Sequence, residues 1–206
     1  MFNKNCKIPS KRSSEILLEI AQDQNLEGNL TYRYILQALG KRAFGIVFLF
    51  FSLPSVLPFS AIPGVSLLFS IPIAIFALEM IFARKSLWLP EGIANKTISH
   101  SKISRIITAV IPYVMKLERL SKPRWALMTC RIMEIVNGIA ILCLAFLLML
   151  PIPLSNSIFG ALLVIFSLGI AEKDGLLIFI GYFCFILYLC FVYLTIIKAV
   201  EYFFSF

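Results

Sequence analysis

The feature that most limits what this chain can fold into is a proline-broken apolar run from Phe44 to Phe82. Pro54, Pro58, Pro63 and Pro72 interrupt it, Glu79 lies near its far end, and Arg84-Lys85 close it. A helix needs about 20 apolar residues to cross a bilayer, and this run is roughly twice that. It predicts two crossing or half-crossing segments that turn between Pro58 and Pro63-Gly64. The rising arm, 43–57, yields roughly 21 Å of helix at about 1.5 Å per residue. That falls short of a hydrocarbon core of about 30 Å. Either the arm is a re-entrant half-span, or it reaches the far face with its turn sunk in the bilayer. Irregular backbone at that depth must be buried in protein or line a wet cavity.

Composition places the whole chain in lipid. Of 206 residues, 60% are hydrophobic, and the mean hydropathy is +0.91. A soluble domain is usually about 45–50% apolar. The net charge of +8 comes from 19 basic against 11 acidic residues. The cations flank apolar spans and form no separate polar domain, so cytoplasmic loops and anionic headgroups account for them better than nucleic acid does. His100 is the only histidine, which argues against His-ligand metal sites and His-dependent triads. There is no Gly-rich phosphate loop, Gly-x-Ser-x-Gly or Asp-rich metal box. No catalytic residue, metal or cofactor is therefore expected. The five cysteines form no Cys-x-x-Cys pair and are expected to be reduced. The polar, basic first fifteen residues do not read as a cleavable signal peptide.

Taken in order, the chain divides into five parts. Residues 1–42 form a cytoplasmic basic segment with a short helix capped by Ser13 or Ser14 and an amphipathic helix over 30–42. Residues 43–83 are the first broken hairpin. Residues 84–131 are a basic connector that the positive-inside rule keeps in the cytoplasm, with Trp88 and Trp125 at the interface and a surface helix kinked at Pro112. Residues 132–172 are a second hairpin, turning through Pro151, Pro153 and Asn156. After the charged break Glu172-Lys173-Asp174-Gly175, residues 173–206 supply a last span and tail. The expected fold is all-α and polytopic, with the C-terminus periplasmic if both hairpins return.

The two hairpins align without gaps. Glu79 follows Pro58 by 21 positions, as Glu172 follows Pro151, and Gly45 and Gly138 each stand 13 before their proline. An internal repeat of broken helices is a feature of transport folds, which place sites at the repeat interface.

Glu79, Glu134, Glu172, Lys173 and Asp174 sit in or beside apolar runs. A carboxylate in hydrocarbon costs at least about 2.5 kcal/mol. Three readings stay open. These groups end helices at headgroup level, or they form a buried ionic seam, or they line a proton or ion pathway. A seam would pair Glu79 and Glu172 with Arg84, Lys173 or connector cations, within one chain or across a C2 homodimer. Asn156 is expected to cap a helix, and Gly175 to supply turn geometry.

Six pieces carry a family likeness: ALGKRAFG (38–45), LPSVLPFSAIPG (53–64), Trp88-Leu89-Pro90, LERLSKPR (117–124), LPIPLSN (150–156) and LGIAEKDG (168–175). In this order, across about residues 25–195, they resemble the ExoD family of bacterial exopolysaccharide-synthesis membrane proteins. The resemblance implies a small multi-pass inner-membrane protein working with the exopolysaccharide machinery, and it supplies no reaction. The chain departs from the family at Lys41, where an acid is frequent, at Glu79, where Gln is, and at Lys173, where Arg is. The second reading is a small transporter or channel for an ion or a lipid-linked precursor.

Overall fold

A computed structural model describes residues 13–22, 29–56, 65–83, 87–88, 92, 97–99, 104–105, 107–108, 111–112, 114–116, 121, 123–150 and 155–204. Its helices are α1 (Ser13–Gln22), α2 (Tyr32–Leu39), α3 (Arg42–Val56), α4 (Val65–Ile81), α5 (Arg131–Met149), α6 (Ser155–Glu172) and α7 (Gly175–Phe204). A 3-10 turn, Ala126–Thr129, leads into α5. The all-α expectation holds apart from one small addition. Strands β1 (Asn29–Thr31) and β2 (Thr97–Ser99) pair antiparallel, Leu30 opposite Ile98. Three residues per strand carry no legible alternation, so the pattern could not announce them. The turns expected at Pro58, Pro63-Gly64 and Pro151–Pro153 lie outside the described residues, as does Arg84.

The amphipathic α2 ends at Gly40, whose φ of +55° suits a residue without Cβ. The chain turns through 107° there before α3 begins. The bend lets α2 follow a surface while α3 enters an apolar bundle. Pro54 lies inside α3 and Pro72 inside α4, so neither ends its helix. Both helices are apolar on every side, the pattern of a segment surrounded by protein or lipid.

Helices α3 and α6 run antiparallel with their backbones nearly touching. A Cβ on Gly45 would lie 2.7 Å from the Ser167 carbonyl oxygen, and one on Gly160 would lie 2.9 Å from the Ser55 carbonyl carbon. Helices α4 and α5 meet in the same manner, with Gly138 facing Ala77 and Ile81. Small residues at such seams let packing substitute for the hydrophobic effect that lipid does not provide. Phe48, Ile73, Ile141, Leu144, Leu148, Leu163 and Phe166 fill the centre. Ser52, Ser70 and Ser167 are buried there too, each hydroxyl donating to a carbonyl of its own helix.

Helix α7 packs on α6 through Tyr182 and Tyr188, whose rings stand edge-on to Phe166 and Phe159. Most of its remaining surface is exposed, including Phe183, Leu187, Phe191 and Leu194. Among the described residues, α5, α6 and residues 175–195 of α7 are long and apolar enough to cross a membrane, and the bent pair α2–α3 adds a fourth if it is taken as one span. Helices α3 and α4 are shorter. Their 15 and 17 residues measure about 21 and 24 Å at 1.5 Å per residue.

Candidate functional site

Antiparallel packing brings the starts of α3 and α5 to the same end as the finishes of α4 and α6 and the start of α7. Nearly every charge singled out in the apolar segments gathers there. Arg42 opens α3 and Glu172 closes α6, and their side chains stand 3.9 Å apart, 5% and 8% exposed. Lys41, one residue earlier, donates to Glu134 in the first turn of α5. Glu79, in the last turn of α4, accepts a hydrogen bond from the Trp88 backbone N–H at 2.9 Å.

Asp174 is wholly buried. Its Oδ1 accepts from the Leu176 N–H at 3.0 Å, and Oδ2 accepts from the Ser121 hydroxyl at 3.3 Å. The half-exposed Arg124 guanidinium lies 3.6 Å from Oδ2. The Gly175 N–H donates to the Arg124 carbonyl at 2.8 Å. One carboxylate thus ties the end of the connector to the α6–α7 turn.

Gly175 has a different role from the one expected. The positive φ in this turn belongs to Lys173, at +54°, and not to the glycine. A Cβ on Gly175 would instead come within 2.7 Å of the Trp125 Cβ and 3.0 Å of the Arg124 carbonyl. Close approach of the connector, and not turn geometry, is what excludes a side chain there. Glu172 and Lys173, though adjacent, do not pair, and the cation of Glu172 is Arg42.

Beneath these charges lies a cavity of about 20 Å³, room for one or two water-sized atoms. Lys41, Thr129, Glu134, Asn137 and Lys173 form its polar wall, with Phe44, Met80 and Ile170 among its apolar residues. Asn137 is committed, donating to the Met128 carbonyl and accepting from the Tyr182 hydroxyl at 2.8 Å. The Lys173 ammonium is held below the usual lysine value, first by burial and then by the Arg42 charge, with Glu134 opposing.

At the opposite end, where α6 begins, the described polar contacts are between uncharged groups. Asn156 lies in the first turn of α6 and donates to the Ser66 hydroxyl at 3.4 Å. The Tyr188 hydroxyl donates to Ser155. Ser55 is 1% exposed, and its hydroxyl has no partner. Among the described residues no three His, Cys, Asp or Glu gather to hold a metal. Cys143, Cys184 and Cys190 are free thiols. Cys130 is disulfide-bonded, which corrects the expectation of five reduced cysteines. It is half-buried at the foot of α5, outside the apolar stretch where a thiol behaves as a small hydrophobe.

Sequence reasoning singled out Glu79, Glu172, Lys173 and Asp174 and looked to the connector, which holds Arg124, for their cations, but it missed Lys41, Arg42 and Asn137 as companions. One signal was present. Glu134 stands 93 positions after Lys41, the same offset that separates Glu79 from Glu172.

Residues 13–194 match the family described as "Exopolysaccharide synthesis, ExoD". An uncharacterized protein of Synechocystis is 36% identical over 144 residues, covering 69% of this chain and 68% of its own length. Protein ExoD of Rhizobium meliloti is 34% identical over 164 residues, covering 77% of this chain and 68% of its own. No solved structure matches the chain. On the extent of the family match, and on identity to a named ExoD protein, this membrane protein belongs to the ExoD family.

Proposed function

We propose that the protein is an accessory component of exopolysaccharide synthesis or export, a multi-pass protein of the bacterial inner membrane with its charged end in the cytoplasm. The observation that carries this reading is the family match across residues 13–194, joined by the relative named ExoD. The deletion strain is the test. Loss of secreted polysaccharide, restored by wild type and not by Arg42→Ala present at equal abundance, supports the reading. Unchanged polysaccharide in the deletion strain removes it.

Two structural details belong to the same proposal. The first is an internal repeat. Exchanging α3–α4 with α5–α6 maps the α3–α6 pairing onto α5–α4, and it maps the Gly45 notch onto the Gly138 notch. The second is an ionic seam between the two halves, supported by Arg42–Glu172 and Lys41–Glu134, each of which joins one half to the other. The homodimer also remains part of the proposal, tested by the mass of the detergent-purified particle. Unmet charge no longer motivates it, because Glu172 and Asp174 meet cations inside one chain.

The second reading is a transporter or channel for an ion or a lipid-linked precursor. The buried, unpartnered Ser55 hydroxyl beside Gly160 favours it, since a polar atom between helices is a point where a permeant group can bind. Flux into proteoliposomes, lost in Glu79→Gln and Glu172→Gln, would support transport. No flux from wild type supports the accessory role.

A further inference from the structure

A serine buried in an apolar helix ordinarily returns its hydroxyl to a carbonyl of the turn before. Ser52, Ser70 and Ser167 do so, donating to Leu49, Leu67 and Leu163. Ser55 does not. It is 1% exposed, and its hydroxyl has no partner among the described residues. It lies against α6, where its Cβ stands 3.0 Å from the place a Gly160 Cβ would take. A helical Cβ leans toward the start of its own helix, so the Gly160 notch opens over Asn156, four residues earlier. Asn156 in turn donates to the Ser66 hydroxyl on α4. The last turn of α3 and the first turns of α4 and α6 thus gather Ser55, Ser66 and Asn156, all of them buried.

Depth argues against the plainest explanation, a set of polar caps resting among headgroups. The Tyr188 hydroxyl donates to Ser155, so the start of α6 is level with position 188 of α7. From Gly175 to Tyr188 is about 20 Å of helix at 1.5 Å per residue, and the apolar stretch of α7 runs on to Thr195, about 10 Å further. The polar cluster is therefore flanked by apolar helix on both sides. Lipid at that depth offers a hydroxyl no partner, and an unsatisfied polar group there is costly.

Charge narrows the occupant. None of the residues in the three turns, 52–56, 65–68 and 155–158, is ionisable. Helices α4 and α6 begin at this end with partial positive charge, and α3 and α5 finish there with partial negative charge, so the helix ends offset one another. A bound ion would meet no compensating charge in these turns. A neutral group that both donates and accepts suits a serine hydroxyl, which does the same.

We propose that the Ser55 hydroxyl binds an uncharged hydroxyl group between the end of α3 and the starts of α4 and α6, in a site that water reaches. The bound hydroxyl is that of water or of a carbohydrate, and the chemistry of the contact is the same. The proposal deepens the transport reading, on which its place in function rests. Access to the site is measured without flux, so a dry site and an absent flux are separate results.

The test is thiol reactivity in the detergent-purified full chain with its native cysteines replaced. A cysteine reacts through its thiolate, which forms where water reaches and is suppressed in dry apolar surroundings. The reagent is methyl methanethiosulfonate, small and neutral. Ser55→Cys is compared with Ser52→Cys, wholly buried in the same helix, and with the exposed Lys198→Cys. Ser55→Cys is expected to react at least about tenfold faster than Ser52→Cys, the difference made by one unit of thiol pKa. Ser66→Cys carries the same expectation and stands in if Ser55→Cys does not fold. Repeating the reaction with glucose in place of sodium chloride, at equal osmolality, separates the two sources. Slowing at position 55 and not at 198 marks a carbohydrate hydroxyl, and an unchanged rate marks water. Reaction at positions 55 and 66 no faster than at 52 would overturn the proposal.

Discussion

Replacing Gly45 with alanine is the sharpest test of how α3 fits against α6. The new Cβ would lie 2.7 Å from both the Ala171 Cα and the Ser167 carbonyl oxygen, all backbone on α6. Carbon contacts prefer about 3.5–4.0 Å, so α3 and α6 must part by about 1 Å where they are closest. Backbone cannot swing aside as a side chain can, which puts the cost at the upper end of overpacking, about 3 kcal/mol. For a chain of this size that is about 6–12 °C in Tm. Gly138→Ala is milder. The nearest atom is the Ile81 Cγ1 at 2.9 Å, the movable part of a side chain, and a loss of about 1 kcal/mol is expected. Gly92 has nothing within 4 Å and serves as the control. Thermal unfolding of the three variants in one detergent should rank them Gly45, Gly138, Gly92 from most to least destabilised. A Gly45→Ala protein that melts with wild type would refute the close approach of α3 and α6.

Further outcomes follow from the charged end. Glu172→Leu or Arg42→Met alone strands a buried charge and should cost about 3–5 kcal/mol, whereas the double variant should recover most of the loss, read as Tm in a double-mutant cycle. Asp174→Ala leaves the Leu176 N–H and Ser121 hydroxyl without their acceptor and should cost about 2 kcal/mol. Arg124→Ala, which removes a half-exposed partner, should cost less than about 1 kcal/mol by the same assay. Lys173 binds its proton less tightly folded than its usual 10.5. Stability should therefore rise with pH between the folded value and 10.5, be complete above 10.5, and be lost as pH falls through the folded value. Lys173→Gln should flatten that rise in a plot of Tm against pH.

Much of the architecture was legible because apolar runs and prolines are strong signals in a chain destined for lipid. Apolar helices were legible in the second half of the chain, where α5 and α6 run Arg131–Met149 and Ser155–Glu172. The last span was expected from Leu176, and α7 begins at Gly175. The partnerships at the charged end were harder to read. Pairing depends on which helix packs against which, and no spacing within one helix tells that Arg42 meets Glu172 across α3 and α6. Arg42 was also hidden by its position, since a cation at the edge of an apolar run reads first as a topology signal. Gly175 misled for a related reason. Sequence suggests a glycine's backbone freedom more readily than the closeness of a distant loop, and here the loop decides.

The proposal at the centre is that the charges lie at one membrane face and the far ends of α3 and α5 toward the other. Labelling of single cysteines in oriented membrane vesicles, in a background with the native cysteines removed, tests it directly. Trp125→Cys marks the charged end and Ser60→Cys the first turn. The account predicts that position 125 reacts only from the cytoplasmic face and that position 60 never reacts from that face. Reaction of both positions from the same side would contradict it.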